Sequence, residues 1–115
     1  MNIIKQKQIS AELARNVSEI LANEARDELL KTITITGAEV SNDLSYAKVY
    51  FTSISPLSKE QLEKELEESS SFVRTEIANR MDLRKTPKIK FVFDESIAYG
   101  NKIEHIIKEI HNHDN

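Results

Sequence analysis

The chain has no cysteine in its 115 residues, only two glycines (Gly37 and Gly100) and only two prolines (Pro56 and Pro87). Without cysteine there can be no disulfide framework, thiolate metal site or cysteine nucleophile. Two isolated glycines cannot form a glycine-rich phosphate loop. No apolar run approaches the roughly 20 residues that a membrane span requires. The start, Met1-Asn-Ile-Ile-Lys5, turns polar too soon for a signal peptide. The expectation is a cytoplasmic protein with no membrane partner. Hydrophobic residues make up 39% and charged residues 30%, as in ordinary globular proteins. A chain of this size can enclose one hydrophobic core but not two.

The formal net charge of −3 hides an uneven distribution. From Lys59 to Glu68 the acids Glu60, Glu63, Glu65, Glu67 and Glu68 dominate. From Arg74 to Lys90 the bases Arg74, Arg80, Arg84, Lys85, Lys88 and Lys90 face only Glu76 and Asp82. A phosphate backbone responds to the local patch and not to the total. Two solvated faces of opposite sign would give the same pattern. Enzymatic readings find no support, because no carboxylate stands in a recognisable pattern with a histidine or a glycine-rich loop. His105, His111 and His113 fall near the end of the chain, where a solvated tail is the default over a metal site. No cofactor is expected.

Ile9, Leu13, Val17, Ile20 and Leu21 recur at helical spacing, predicting an amphipathic helix over roughly Lys7 to Ala25. Ile33 and Ile35 alternate with threonines as in a strand, and Gly37 suggests a bulge or kink there. Ser41-Asn-Asp43 supplies turn chemistry, with Asn42 the residue that best tolerates positive φ. In the next strand Ala47, Val49 and Phe51 face one side, while Tyr46, Lys48, Tyr50 and Thr52 face the other. Ser58 and Gln61 resemble a capping box. Leu62, Leu66, Val73, Ile77 and Met81 then form one helical stripe, interrupted by Ser69, Ser70 and Ser71. Those serines fit either a bend or a straight helix packed closely on a neighbour. Pro87 stops the helix, and Ile89, Phe91 and Phe93 mark a third strand. Ile103, Ile106, Ile107 and Ile110 suggest a short terminal helix before a frayed tail.

The order is therefore helix, strand, strand, helix, interruption, helix, strand. A tight first connection implies antiparallel pairing, and the long helical crossover implies parallel pairing. The expected fold is α+β, a three-stranded mixed sheet with helices on one face. Tyr46, Lys48, Tyr50, Lys88 and Lys90 would line the open face.

Val40-Ser-Asn-Asp-Leu-Ser-Tyr-Ala-Lys-Val-Tyr50, Phe72-Val-Arg74, Met81-Asp-Leu-Arg84, Pro87-Lys-Ile-Lys-Phe91 and Asp94-Glu-Ser96 through Gly100 occur here in order. Together they resemble the ribosome-binding factor A family, from the first helix to about Ile110. The resemblance implies a type II KH-like RNA-binding domain over residues 1–97, followed by a C-terminal helix and tail over 98–115. KH domains commonly grip RNA with a GXXG loop, which this chain lacks. The family has an interhelical kink in its place, typically Ala-x-Gly, and that position here reads Ser69-Ser-Ser71.

The resemblance further implies a monomeric, non-catalytic factor that binds the small (30S) ribosomal subunit and its rRNA. It would assist 16S rRNA 5′-end processing and late maturation, with a role in cold adaptation. Ribosomal proteins or other assembly factors are further candidate partners. The expected RNA-binding residues are Ser69, Ser70, Ser71, Arg74, Arg80, Arg84, Lys85, Lys88 and Lys90. Arginine forks and lysine point charges suit phosphate oxygens, and a helix N-terminus offers free amides. Lys5, Lys7 and Arg15 form a second basic group. The competing reading is a protein-interaction adaptor that uses the acidic segment Glu60–Glu68 or the open sheet face.

Overall fold

The computed structural model describes residues 1–23 and 27–96. The expected terminal helix around Ile103–Ile110, the three histidines and Gly100 lie outside the described residues. The elements are α1 (Ile3–Asn23), β1 (Ile33–Val40), β2 (Tyr46–Ser53), α2 (Lys59–Glu68), α3 (Ser70–Arg80) and β3 (Lys88–Phe93), with a 3-10 turn at Leu30–Thr32. They form an α+β fold whose sheet has the order β1-β2-β3. β1 and β2 are antiparallel, and β2 and β3 are parallel.

Helix α1 starts at Ile3, four residues before the expected start at Lys7. The cause is Asn2, whose side-chain oxygen accepts the Lys5 N–H at 2.8 Å and satisfies a helix-start amide. Ile3 and Ile4 extend the helix yet stay exposed, so periodicity gives no sign of them. Ile9, Leu13, Val17, Ile20 and Leu21 are buried, as their spacing requires.

A bulge between Ile35 and Gly37 shifts the ladder by one residue. Ile33 and Ile35 pack on the core before it, and Ala38 and Val40 after it. That change from odd to even positions would turn half the strand inside out without an extra residue to absorb it. The hairpin turn departs from expectation at one point. The positive φ, 60°, belongs to Leu44 and not to Asn42. A left-handed leucine costs about 1–2 kcal/mol. Its side chain is buried, which offsets the strain by roughly the same amount.

Ser58 and Gln61 form the reciprocal capping box that starts α2. The helix then breaks at Ser69, settling the open question of a straight or interrupted element. Ser69 keeps ordinary right-handed angles (φ −93°, ψ −2°), and its N–H reaches back three residues to Leu66 O. The Ser69 and Ser70 hydroxyls donate to Glu65 O and Glu67 O, and Thr75 does the same to Ser71 O. Hydroxyls competing for helix carbonyls tighten the turn locally. Because no left-handed residue is needed, serine can stand where a glycine would.

Leu62, Leu66, Val73, Ile77 and Met81 from α2, α3 and the loop after them join α1, Ala47, Val49, Phe51, Ile89 and Phe91 in one core. Phe93 meets Phe51 edge to face, with ring centroids 5.6 Å apart. The helices thus cover one face of the sheet and leave the other open.

Candidate functional site

Alternation along two parallel strands builds the open face. Ala47, Ile89, Val49 and Phe91 point into the core, so Tyr46, Lys48, Lys88 and Lys90 point out. The parallel register sets Tyr46 beside Lys88 and Lys48 beside Lys90. The side chains of Lys48, Lys88 and Lys90 form no ion pair or hydrogen bond with the described residues, and all three residues are exposed. Three ammonium groups of like sign therefore share one side of the sheet. β1 contributes Glu39 to the same side, cross-strand from Lys48.

The hairpin turn and the loop before β3 meet at the end of the sheet where β2 and β3 begin. Lys88 N–H donates to Ser45 O, and Lys85 Nζ donates to the Ser45 hydroxyl, both at 3.0 Å. Asp43 organises this corner. Its carboxylate accepts from Ser45 N–H and from the Ser41 and Ser45 hydroxyls. Those hydrogen bonds, the Ser45 pair first, lower its pKa from 3.8 to about 2, with a small further contribution from Lys85. Arg84 lines an open cleft with Met1, Asn42, Asp43 and Leu44, and its guanidinium is exposed.

On the far side of the open face the chemistry changes sign. Thr36 donates to Asp94 and the Tyr50 phenol donates to Glu39. Partial burial raises the Tyr50 pKa, and the nearby charges of Glu39 and Asp94 add to the effect. The lysine cluster thus occupies one part of the face and not the whole.

The expected site residues divide. Lys85 and Lys88 meet at Ser45, with Lys90 next along the same face of β3, while Arg84 lies in the cleft beside the hairpin turn and the start of the chain. Arg74 instead spends its fork inside the molecule. Its Nε donates to Pro87 O at 3.1 Å and its Nη2 to Thr86 O at 3.3 Å. Arg80 pairs with Glu19 of α1 at 3.0 Å, its side chain only 24% exposed. Ser69 and Ser70 direct their hydroxyls into the helix backbone, while Ser71 is exposed at the start of α3. Lys5, Lys7 and Arg15 are exposed along α1. Lys48 is the residue that charge clustering along the chain passes over. It lies far from Lys90 in sequence, and only the strand register makes them neighbours. Its alternation with Val49 was the available signal.

Among the described residues no group of acids and histidines could hold a metal, and no helix is long and apolar enough to cross a membrane.

Comparison with known proteins bears on what such a surface does. The family model described as ribosome-binding factor A matches residues 5–107. A ribosome-binding factor A from Staphylococcus epidermidis is 37% identical over 115 residues, covering 99% of both chains. Among solved structures, the crystal structure of ribosome-binding factor A from Thermus thermophilus superposes with a TM-score of 0.66 at 25% identity. That match covers 76% of this chain and 93% of that one. Coordinates of the Thermus thermophilus factor fitted into a cryo-EM map of its 30S complex share the fold, with a TM-score of 0.56 at 22% identity over 75% of this chain and 96% of that one.

Proposed function

Because the chain belongs to the ribosome-binding factor A family, we propose that it is a non-catalytic assembly factor that binds the small ribosomal subunit through rRNA. The observation that carries this reading is the trio Lys48, Lys88 and Lys90, held side by side by strand register with ammonium groups unpaired by any described residue. Arg84 and Lys85 extend the trio around the end of the sheet. Such a surface reads the phosphate backbone and the shape of folded RNA. Point charges on a rigid sheet carry no base code, and Tyr46 alone is not the aromatic platform of a single-strand binder.

In this reading the protein is a cytoplasmic monomer with a KH-like domain. It acts late in subunit maturation, favouring correct 16S rRNA structure near the 5′ end, and matters most in the cold, where misfolded RNA helices escape slowly. It holds RNA and leaves cleavage to nucleases, so precursor rRNA incubated with purified protein alone should stay intact.

The test is a salt titration of binding to small-subunit rRNA. Each phosphate contact contributes about 0.7–0.9 to the log–log slope. Replacing Lys48, Lys88 and Lys90 together by alanine should lower the slope by about 2 while the circular dichroism spectrum is unchanged. An unaltered slope and affinity would mean that the RNA lies elsewhere.

A further inference from the structure

The outer edge of β3 is closed at both ends and open in the middle. Lys88 N–H bonds Ser45 O and Asp94 N–H bonds Phe51 O, so the even-numbered residues of β3 turn their backbone toward β2. The odd-numbered ones turn theirs outward. At one end the outward carbonyl of Pro87 is taken by Arg74. At the other the outward N–H of Phe93 is taken by the Glu63 carboxylate at 3.3 Å. Between them the amides and carbonyls of Ile89 and Phe91 have no partner among the described residues. They border a groove of about 740 Å³ whose lining includes Tyr46, Lys48, Lys88 and Lys90 on one side and Glu63 and Glu67 of α2 on the other.

We propose that this edge takes up an extended basic segment of a partner protein as a fourth strand. Main-chain pairing with Ile89 and Phe91 would supply the attachment, as in other cases of strand addition. The two walls would set the sequence. Glu63 and Glu67 are one helical turn apart, about 6 Å along α2. Alternate side chains of a strand are about 6.6 Å apart. Every second residue of the added strand therefore meets one of these glutamates, and arginine or lysine fits there. The intervening side chains lie beside Lys88 and Lys90, where a base is repelled and a neutral or acidic residue is accepted. The same lysines argue against a second copy of this chain, since pairing two β3 edges would bring lysine against lysine. Glu63 and Glu67 argue against a phosphate backbone in the groove. The groove shares Lys48, Lys88 and Lys90 with the lysine face, but the inference is carried by the outward backbone of Ile89 and Phe91 and by Glu63 and Glu67, so it does not rest on the RNA reading.

A synthetic peptide that alternates arginine with threonine tests it, titrated into the full chain and followed by NMR. The Ile89 and Phe91 amide signals should shift and their hydrogen exchange should slow. A peptide with proline in place of each threonine and with each arginine nitrogen methylated along the backbone, which leaves no amide donor whichever way the strand runs, should not bind. Glu63→Lys/Glu67→Lys should weaken binding at least about tenfold. Glu67→Lys alone, which disturbs no backbone bond to Phe93, should weaken it in the same direction. The proposal is overturned if the proline peptide binds equally well or if charge reversal leaves affinity unchanged. It is equally overturned if small-subunit rRNA shifts the Ile89 and Phe91 amides and charge reversal strengthens rRNA binding. Loss of the lysine-face effect on rRNA, with peptide binding intact, would count against the RNA reading alone.

Discussion

The helical layer and the open sheet face carry the same kind of charge and use it in opposite ways. In the helical layer Arg74 binds two carbonyls of the segment leading into β3, and Arg80 binds Glu19 across to α1. On the open face the side chains of Lys48, Lys88 and Lys90 bind nothing among the described residues. Side-chain type follows use. The planar guanidinium suits two fixed acceptors, and the ammonium on a flexible stem suits a ligand that has yet to arrive. Positive charge therefore signals a binding surface only where its partners are missing.

The sharpest way to break this contrast is at Arg74. If its role is to fasten residues 86–87 to α3, Arg74→Ala should cost about 2–3 kcal/mol, since hydrogen bonds from a charged donor are each worth about 1.5–3 and partial exposure discounts the sum. The urea midpoint should fall, and lysine at this position should recover little of it, because one ammonium cannot fill both acceptors in the same geometry. The lysine-to-alanine triple variant of the open face should leave the midpoint where it was. A stable Arg74→Ala variant that had lost rRNA binding would move Arg74 to the other class.

Arg80 and Glu19 offer a smaller effect. A double-mutant cycle should give a coupling of about 0.5–1 kcal/mol, toward the upper end of exposed pairs because Arg80 is largely covered. Zero coupling would show that packing of the arginine stem, and not its charge, joins α1 to α3.

What could be read from the chain follows the same division. The strands, the bulge at Gly37, the capping box at Ser58 and the mixed sheet order were legible, because alternation, cap chemistry and connection length are local. The early start of α1 escaped because Asn2 caps it while Ile3 and Ile4 stay exposed. The left-handed residue escaped because Leu44 trades backbone strain for burial, and propensity weighs only the first. At the site, the acceptors of Arg74 and Arg80 lie on other elements, and nothing along α3 distinguishes a committed arginine from an available one. Alternation put Lys48 on the open face with Lys88 and Lys90, but charge clustering left it out of the expected RNA-binding set, and its place beside Lys90 comes from the register. The expected cluster was legible as a count of charges and illegible as a set of partners.

Lys85 sits on the seam between the two classes, exposed like the lysines yet bonded like the arginines, and Asp43 decides which it resembles. The Asp43 carboxylate accepts the Ser45 hydroxyl proton, which turns that oxygen's lone pair toward Lys85. A carboxyl with a pKa of about 2 against an ordinary 3.8 favours the folded state at pH above about 4 and loses that contribution as pH falls through 2. Wild type should therefore lose more stability than Asp43→Asn between about pH 5 and pH 2, with the two converging at the acid end. The measurement is the urea midpoint of each across that range. The same substitution should also release Lys85 without removing its charge. If Lys85 acts chiefly as a fastener, Lys85→Ala should lower stability at neutral pH and leave the salt slope for rRNA unchanged. If it acts chiefly as a phosphate contact, freeing it should leave the slope intact and Lys85→Ala should lower that slope by about 1. Parallel acid profiles for the two proteins would mean that the hydrogen bonds gathered on Asp43 do not hold this turn.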